Sequence, residues 1–211
     1  MPPHLNTVKT PPHPGRYHHG DLRQALVAAA EAVIAERGAD GFSLREAARR
    51  AGVSPAAPQH HFGDVRGLLT AVAVTGFTAL AEAQERAERA APDAPGARLY
   101  ALGVAYVDFA LAHPAHFDVM WRTARLDGDD PAYQAASRRA FAPLAAAVAG
   151  VPTADAPDTA PADADPRALA CWATVHGFAR LALDGAFGPG PAGARAAADA
   201  LLPAVLGCLQ G

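Results

Sequence analysis

The sequence predicts an all-α fold, and three features predict it. Ala dominates, Arg carries nearly all the positive charge and β-branched runs are scarce; Ala, Leu and Arg are good helix formers. Apolar residues recur every three or four positions through long windows. Capping residues, Gly and Pro punctuate those windows at helix-like lengths. The 211 residues exceed one average domain and fall short of two. A chain of that size buries roughly 70% of its unfolded surface.

Met1 to Gly15 has five prolines and no periodicity, and reads as a flexible tail. A first helix begins at Asp21, with Leu22, Leu26, Ala29, Val33 and Ile34 on one face, and Gly38 ends it. Ser43-Leu44-Arg45-Glu46 has the form of a capping box. The helix it opens runs to Ala51 and stops at Gly52. Ser54-Pro55 predicts a third helix, with Ser as N-cap and Pro at the first position. It is short and ends near Phe62-Gly63.

Asp64 is placed to cap a long helix from Val65 to about Arg89. A helix ending at Ala112, a short one after His113-Pro114 and another from about Ala132 to Ala149 follow. Residues 150–166 are rich in Pro, Ala and Asp and read as a disordered loop. Helices over about Arg167–Gly185 and Ala192–Leu209 close a count of about nine. The predicted organisation is a tail (1–15), a three-helix head (16–64) and a larger helical body (65–211).

Charge divides the same way. Residues 1–66 hold eight Lys and Arg against six Asp and Glu, a net of +2. Residues 67–211 hold ten against fifteen, a net of −5. A mildly basic head on an acidic body fits a nucleic-acid partner weakly, since +2 is small beside several phosphate contacts. No apolar run approaches the roughly 20 residues of a membrane span, and no secretory pattern opens the chain. Cys171 and Cys208 both sit in helix-like segments, which predicts free, buried thiols in a reducing cytoplasm.

The pattern holds no Gly-rich phosphate loop, nucleophile elbow or His-Glu metal helix, so neither catalytic residues nor a cofactor is expected. His18-His19 and His60-His61 are adjacent pairs that point apart on a helix. His113 and His116 have Pro114 between them and no further ligands beside them, so no metal site is expected.

The decisive segment is 43–62, a helix, a tight turn on Gly52 and a second helix. Small Ala47, Ala48 and Ala51 permit close approach, and Val53 fills the elbow. This is the helix-turn-helix arrangement, whose second helix enters the major groove. An ordinary αα-hairpin has the same pattern. Two features favour DNA: the second helix lacks large apolar residues until Phe62, and Arg45, Arg49 and Arg50 lie on the first.

From Tyr17 to Leu69 the chain resembles the DNA-binding domain of the TetR/AcrR family. The matching pieces are Ser43-Leu44-Arg45, Ala48, Ala51-Gly52-Val53-Ser54, His61-Phe62 and Leu68-Leu69, in the family's order and spacing. The C-terminal part is similar to the family's WHG-type ligand domain, through His113-Pro114, Phe117, Met120, Trp172, His176-Gly177 and Asp184-Gly185. The resemblance implies a homodimer on a near-palindromic operator in double-stranded DNA. It also implies repression, relieved when a small molecule enters the body. Two positions depart from the family: Gln59 replaces the usual Tyr, and Val65 the usual Lys, so phosphate contacts are fewer or operator preference differs.

The DNA-contact candidates are Arg45, Ser54, Ala56, Ala57, Gln59, His60, His61 and Arg66. Gln59 suits adenine N6 and N7, and Ala56 and Ala57 suit thymine methyls or are simply small. His61 either touches DNA or packs below Phe62. Arg16, His18 and His19 reach a minor groove in one reading and stay solvated in the other.

The ligand-binding candidates are Tyr106, Phe109, Phe117, Met120, Trp121, Tyr133, Trp172 and His176, with Phe141, Phe178 and Arg122 nearby; plain core is the competing reading for most. Gly177, Leu181, Leu202 and Leu206 are spaced for a helical dimer interface or for packing within the chain. The alternative function is a helical small-molecule-binding or enzymatic protein whose helix-turn-helix is degenerate.

Overall fold

The computed structural model describes residues 19–156, 158, 160 and 163–209; for 19–21 only the backbone is described. The proposed tail and Arg16 and His18 fall outside the described residues, as does the side chain of His19. The described residues contain nine α-helices and no strand. They are α1 (His19–Arg37), α2 (Leu44–Arg50), α3 (Ala57–Phe62), α4 (Val65–Ala90), α5 (Ala97–Ala112), α6 (Pro114–Met120), α7 (Pro131–Ala149), α8 (Pro166–Leu183) and α9 (Gly190–Gly207).

Chain punctuation sets these boundaries. Gly38 takes φ +70° and returns its N–H to the Ile34 carbonyl, ending α1. Asp64 accepts from the Gly67 N–H at 2.9 Å and starts α4. Asp130 and Asp165 cap α7 and α8 in the same way.

Two expected caps differ. Ser43 makes no side-chain cap, and the carboxylate of Glu46, its capping-box partner, is engaged by Arg49 and Arg50. Ser54 does not cap α3 either. Residues 54–57 form a turn closed by the Ala57 N–H on the Ser54 carbonyl, and α3 starts at Ala57. Pro58 therefore sits in the first turn, where a missing N–H costs nothing.

α4 is the axis of the molecule. It packs against α1 and α3 at one end and against α5, α6 and α7 along its length. It is the one described helix long and apolar enough to cross a bilayer, and burial of Leu68, Leu69, Val72, Phe77 and Leu80 accounts for that composition. α5, α8 and α9 pack on one another. The core joins Phe77, Phe117, Met120, Val107 and Leu126, all at most 2% exposed. Each such side chain contributes roughly 1.5–3 kcal/mol by burial. Close approaches depend on glycine: a Cβ on Gly76 would lie 2.6 Å from Met120 Sδ, and one on Gly103 2.6 Å from Leu206.

The segment after α7 departs from the disordered reading at its start. Thr153–Asp155 form a 3₁₀ turn, and Arg98 donates to the Val151 carbonyl and to Thr153 Oγ1. Thr153 in turn donates to Glu88. A few polar anchors order a stretch with nothing apolar to bury. Cys171 is buried as expected, whereas Cys208 is exposed where α9 ends.

Candidate DNA-reading face and ligand cavity

At the head, α3 turns one side inward and one outward. Pro58 is buried, and Phe62 is half-buried under the Arg23 guanidinium, 5.0 Å from its ring centroid. Ser54, Ala56, Gln59 and His60 are exposed, and Ala57 and His61 are intermediate. The α3 helix thus presents a row of small and polar residues to solvent. His61 stands edge-on to His60, with centroids 5.4 Å apart.

The α2 arginines are not equivalent. Arg49 grips Glu46 with two hydrogen bonds of 2.8 and 2.9 Å. Arg50 bonds both Glu46 and Glu36. Arg49 first, and Arg50 second, hold the Glu46 carboxyl at about 2, well below the ordinary carboxylate range. Arg45 is exposed and has no carboxylate partner among the described residues. It lines an open groove with Arg37, Ser43, Arg49 and Pro55. Arg37 was not singled out in the sequence, because it lies on the preceding helix.

Arg66, a DNA-contact candidate, is exposed, and its Nε donates to the Leu126 carbonyl at 2.7 Å. Val65 is 36% exposed at the start of α4.

In the body, α4, α5, α7, α8 and α9 line a partly open apolar cavity of about 50 Å³. Its walls include Phe77, Leu80, Gln84, Leu102, Tyr106, Trp121, Phe141, Trp172, Val175 and Leu206. Trp121 and Trp172 lie with centroids 5.2 Å apart, and Phe77 meets Trp121 edge-on at 5.1 Å. Of the ligand candidates, Tyr106, Trp121 and Trp172 line the cavity.

His176 stands behind that wall: its Nδ1 and the Tyr106 hydroxyl share a hydrogen bond of 2.9 Å, and that hydroxyl accepts from Trp172 Nε1 at 3.3 Å. Burial, and then the nearby Arg180 charge, push the His176 pKa down, which favours the neutral ring. Burial pushes the Tyr106 hydroxyl up.

The other candidates do not line the cavity. Phe117 and Met120 are fully buried core, Phe109 packs on His113 and Tyr133 packs edge-on to Phe77. Sequence reasoning missed Gln84. The available signal was its spacing, four residues beyond Leu80 and seven beyond Phe77, which puts it on the buried face of α4.

Between head and cavity lies a polar joint. The Ala39 N–H donates to Asp118 Oδ2 at 3.3 Å, and Arg125 donates to the Ala39 carbonyl at 2.7 Å. Arg122 and Arg125 both reach Asp40. His116 Nε2 bonds Glu31 at 2.9 Å. The Asp127 N–H donates to Thr70 Oγ1. Thus α6 and the residues just after it carry Asp118 and Arg122 on the head side and Trp121 on the cavity side. Arg122, a neighbour of the ligand candidates in the sequence reading, belongs to this joint.

The head matches the family described as bacterial regulatory proteins, tetR family, over residues 26–72. The body matches the tetracyclin repressor-like C-terminal domain over residues 99–205, half of the chain. The chain belongs to the TetR family. No curated protein matches it in sequence.

Among solved structures, one from Rhodococcus sp. RHA1, described as a protein with unknown function, is 38% identical. It covers 94% of this chain and 100% of its own, with a TM-score of 0.68. The TetR family transcriptional regulator PfmR from Thermus thermophilus is 21% identical over 86% of this chain and 96% of its own (TM-score 0.60). A TetR variant from Acinetobacter baumannii AYE in complex with minocycline is 19% identical over 93% and 99%, with a TM-score of 0.54. As a TetR-family member the chain is a DNA-binding transcriptional regulator.

Proposed function

We propose that this TetR-family chain is a ligand-responsive repressor, released from its operator when a small, mostly apolar molecule enters the body. The observation that carries this reading is the two-sided α6 region. Trp121 forms part of the cavity wall, while Asp118 and Arg122 beside it hold the Ala39-Asp40 loop at the base of the head. A ligand changes DNA binding only if it favours one arrangement over another. A cavity of about 50 Å³ holds only a few water-sized groups. A larger guest must push the walls apart, and that displacement reaches α6.

The head (16–64) reads DNA and the body (65–211) senses and dimerises. Arg45, Ser54, Ala56, Ala57, Gln59, His60 and His61 form the reading face. Gln59 supplies base recognition and Arg45 phosphate affinity. Arg66 joins them at the edge of the face, its guanidinium steadied by the Leu126 carbonyl. The dimer face is α8 and α9, where Leu181 and Leu201 stand 50% and 44% exposed. Leu202 and Leu206, by contrast, are buried within the chain and do not serve it.

A gel-shift with the DNA upstream of the gene tests the reading. A salt-sensitive, sequence-specific shift, reversed by an apolar compound that binds the body, is expected. Specific binding that no cavity ligand alters excludes a sensor. No specific binding at all favours the rival reading, a small-molecule-binding protein with a degenerate head, motivated by Gln59 and Val65.

A further inference from the structure

We infer that the cavity takes an uncharged, mainly aromatic ligand with a hydrogen-bond acceptor at one end, met by Trp121, and a donor at the other, met by Gln84. This rests on the sensor reading and names the chemistry of that same site. Gln84 is 5% exposed, and its Oε1 has no hydrogen-bond partner among the described residues. Trp121 Nε1 is likewise buried and without a partner. Both residues line the cavity. Buried polar atoms in natural proteins are nearly always paired, so each exception asks for a partner. Trp121 Nε1 is a donor only and calls for an acceptor. Gln84 Oε1 calls for an O–H or N–H.

Of the cavity's other polar groups, the Tyr106 hydroxyl is already bonded to both Trp172 and His176. Ser137 and Cys171 also line it. No Lys, Arg, His, Asp or Glu lines the cavity, so a charged group there would be buried unpaired.

Gln84 lies seven residues beyond Phe77 on α4, about 10 Å along the helix axis. The Phe77 ring lies 5.1 Å from the Trp121 ring. Phe77, Leu80, Phe141 and Trp172 supply apolar wall besides the two polar groups. Rings of this kind favour flat aromatic guests in offset or edge-on contact.

Three probes separate the terms: 4-hydroxybenzophenone, benzophenone and 4-benzoylbenzoate, titrated against the full chain by calorimetry. Tryptophan fluorescence is read in parallel, since both tryptophans of the chain border the cavity. In the native protein 4-hydroxybenzophenone binds about tenfold tighter than benzophenone, the value of one added hydrogen bond. Gln84→Leu removes that difference, and its Tm rises because an unpaired polar group is gone. Trp121→Phe weakens both ketones about tenfold. The carboxylate binds at least tenfold more weakly than benzophenone.

Equal affinity for the two ketones overturns the inference, as does a difference that survives Gln84→Leu. So does a preference for the carboxylate, a fall in the Tm of Gln84→Leu, or binding by none of the three. If the predicted pattern holds but DNA stays bound, the sensor reading fails and the ligand chemistry stands. If every probe that enters, charged or not, releases DNA equally, the sensor reading stands and the ligand chemistry fails.

Discussion

The head and the body solve the same packing problem with different materials. The head holds α2 against α1 with small buried residues, Ala47 and Ala48, and with ion pairs among Glu36, Glu46, Arg49 and Arg50. The body holds α4 to its neighbours with Phe77, Phe117, Met120 and Leu80, nearly all out of water. Arginines committed to carboxylates keep the head's outer surface polar and leave Arg45 for another partner. The body buries apolar area and leaves two polar atoms unmatched around a small cavity. The head is thus sensitive to pH and salt, and the body is sensitive to volume.

The largest effect that sharpens this contrast is in the body. Phe117→Ala is expected to cost about 3–5 kcal/mol in unfolding free energy, read by urea denaturation. A loss below about 1 kcal/mol would mean the core is not held by volume. Next in size, Gln84→Leu is expected to stabilise the same transition by about 1–2 kcal/mol, since an unmatched buried polar group disappears. Destabilisation would show that Gln84 has an internal role.

A smaller effect belongs to the joint. Asp40 is 76% exposed, so Asp40→Ala is expected to cost no more than about 1 kcal/mol. It should nevertheless speed amide exchange in α1 and α2, because Arg122 and Arg125 lose the contact that steadies the loop after α1. Unchanged exchange would place the coupling elsewhere, in α4.

The smallest effect is acid sensitivity of the head. The Glu46 carboxyl is depressed to about 2 from its ordinary 4.5, so its contribution is complete above pH 4.5 and fades as pH falls toward 2. The depressed His176 acts in the same sense at higher pH: its contribution is whole above about 6.5 and declines below it. Glu46→Gln is expected to flatten only the lower of these two steps in a melting series against pH.

All nine described helices were legible because their ends are written locally, in Gly38, Asp64, Pro114, Asp130 and Gly150. Ser43 and Ser54 have the right residue type for caps, yet neither side chain caps: Glu46 is held by arginines one helical turn away, and the turn at 54–57 precedes α3. The Leu126 carbonyl that Arg66 meets lies sixty residues on, a contact no local pattern encodes.

The cavity was half legible. Tyr106, Trp121 and Trp172 announce themselves as large amphipathic rings. Which rings line a space and which fill it depends on five helices converging, and no local period encodes that. Gln84 was hidden among Glu82, Glu85 and Arg86, whose charges made the whole stretch read as wet.

The central claim is that volume inside the body sets DNA affinity through α6. Ala140→Phe tests it without any ligand, since Ala140 lines the cavity and lies far from the head in sequence. Anisotropy with the upstream DNA is predicted to show at least tenfold weaker specific binding, about 1.4 kcal/mol, with helix content preserved. Native affinity in a folded variant whose cavity is filled would contradict the account.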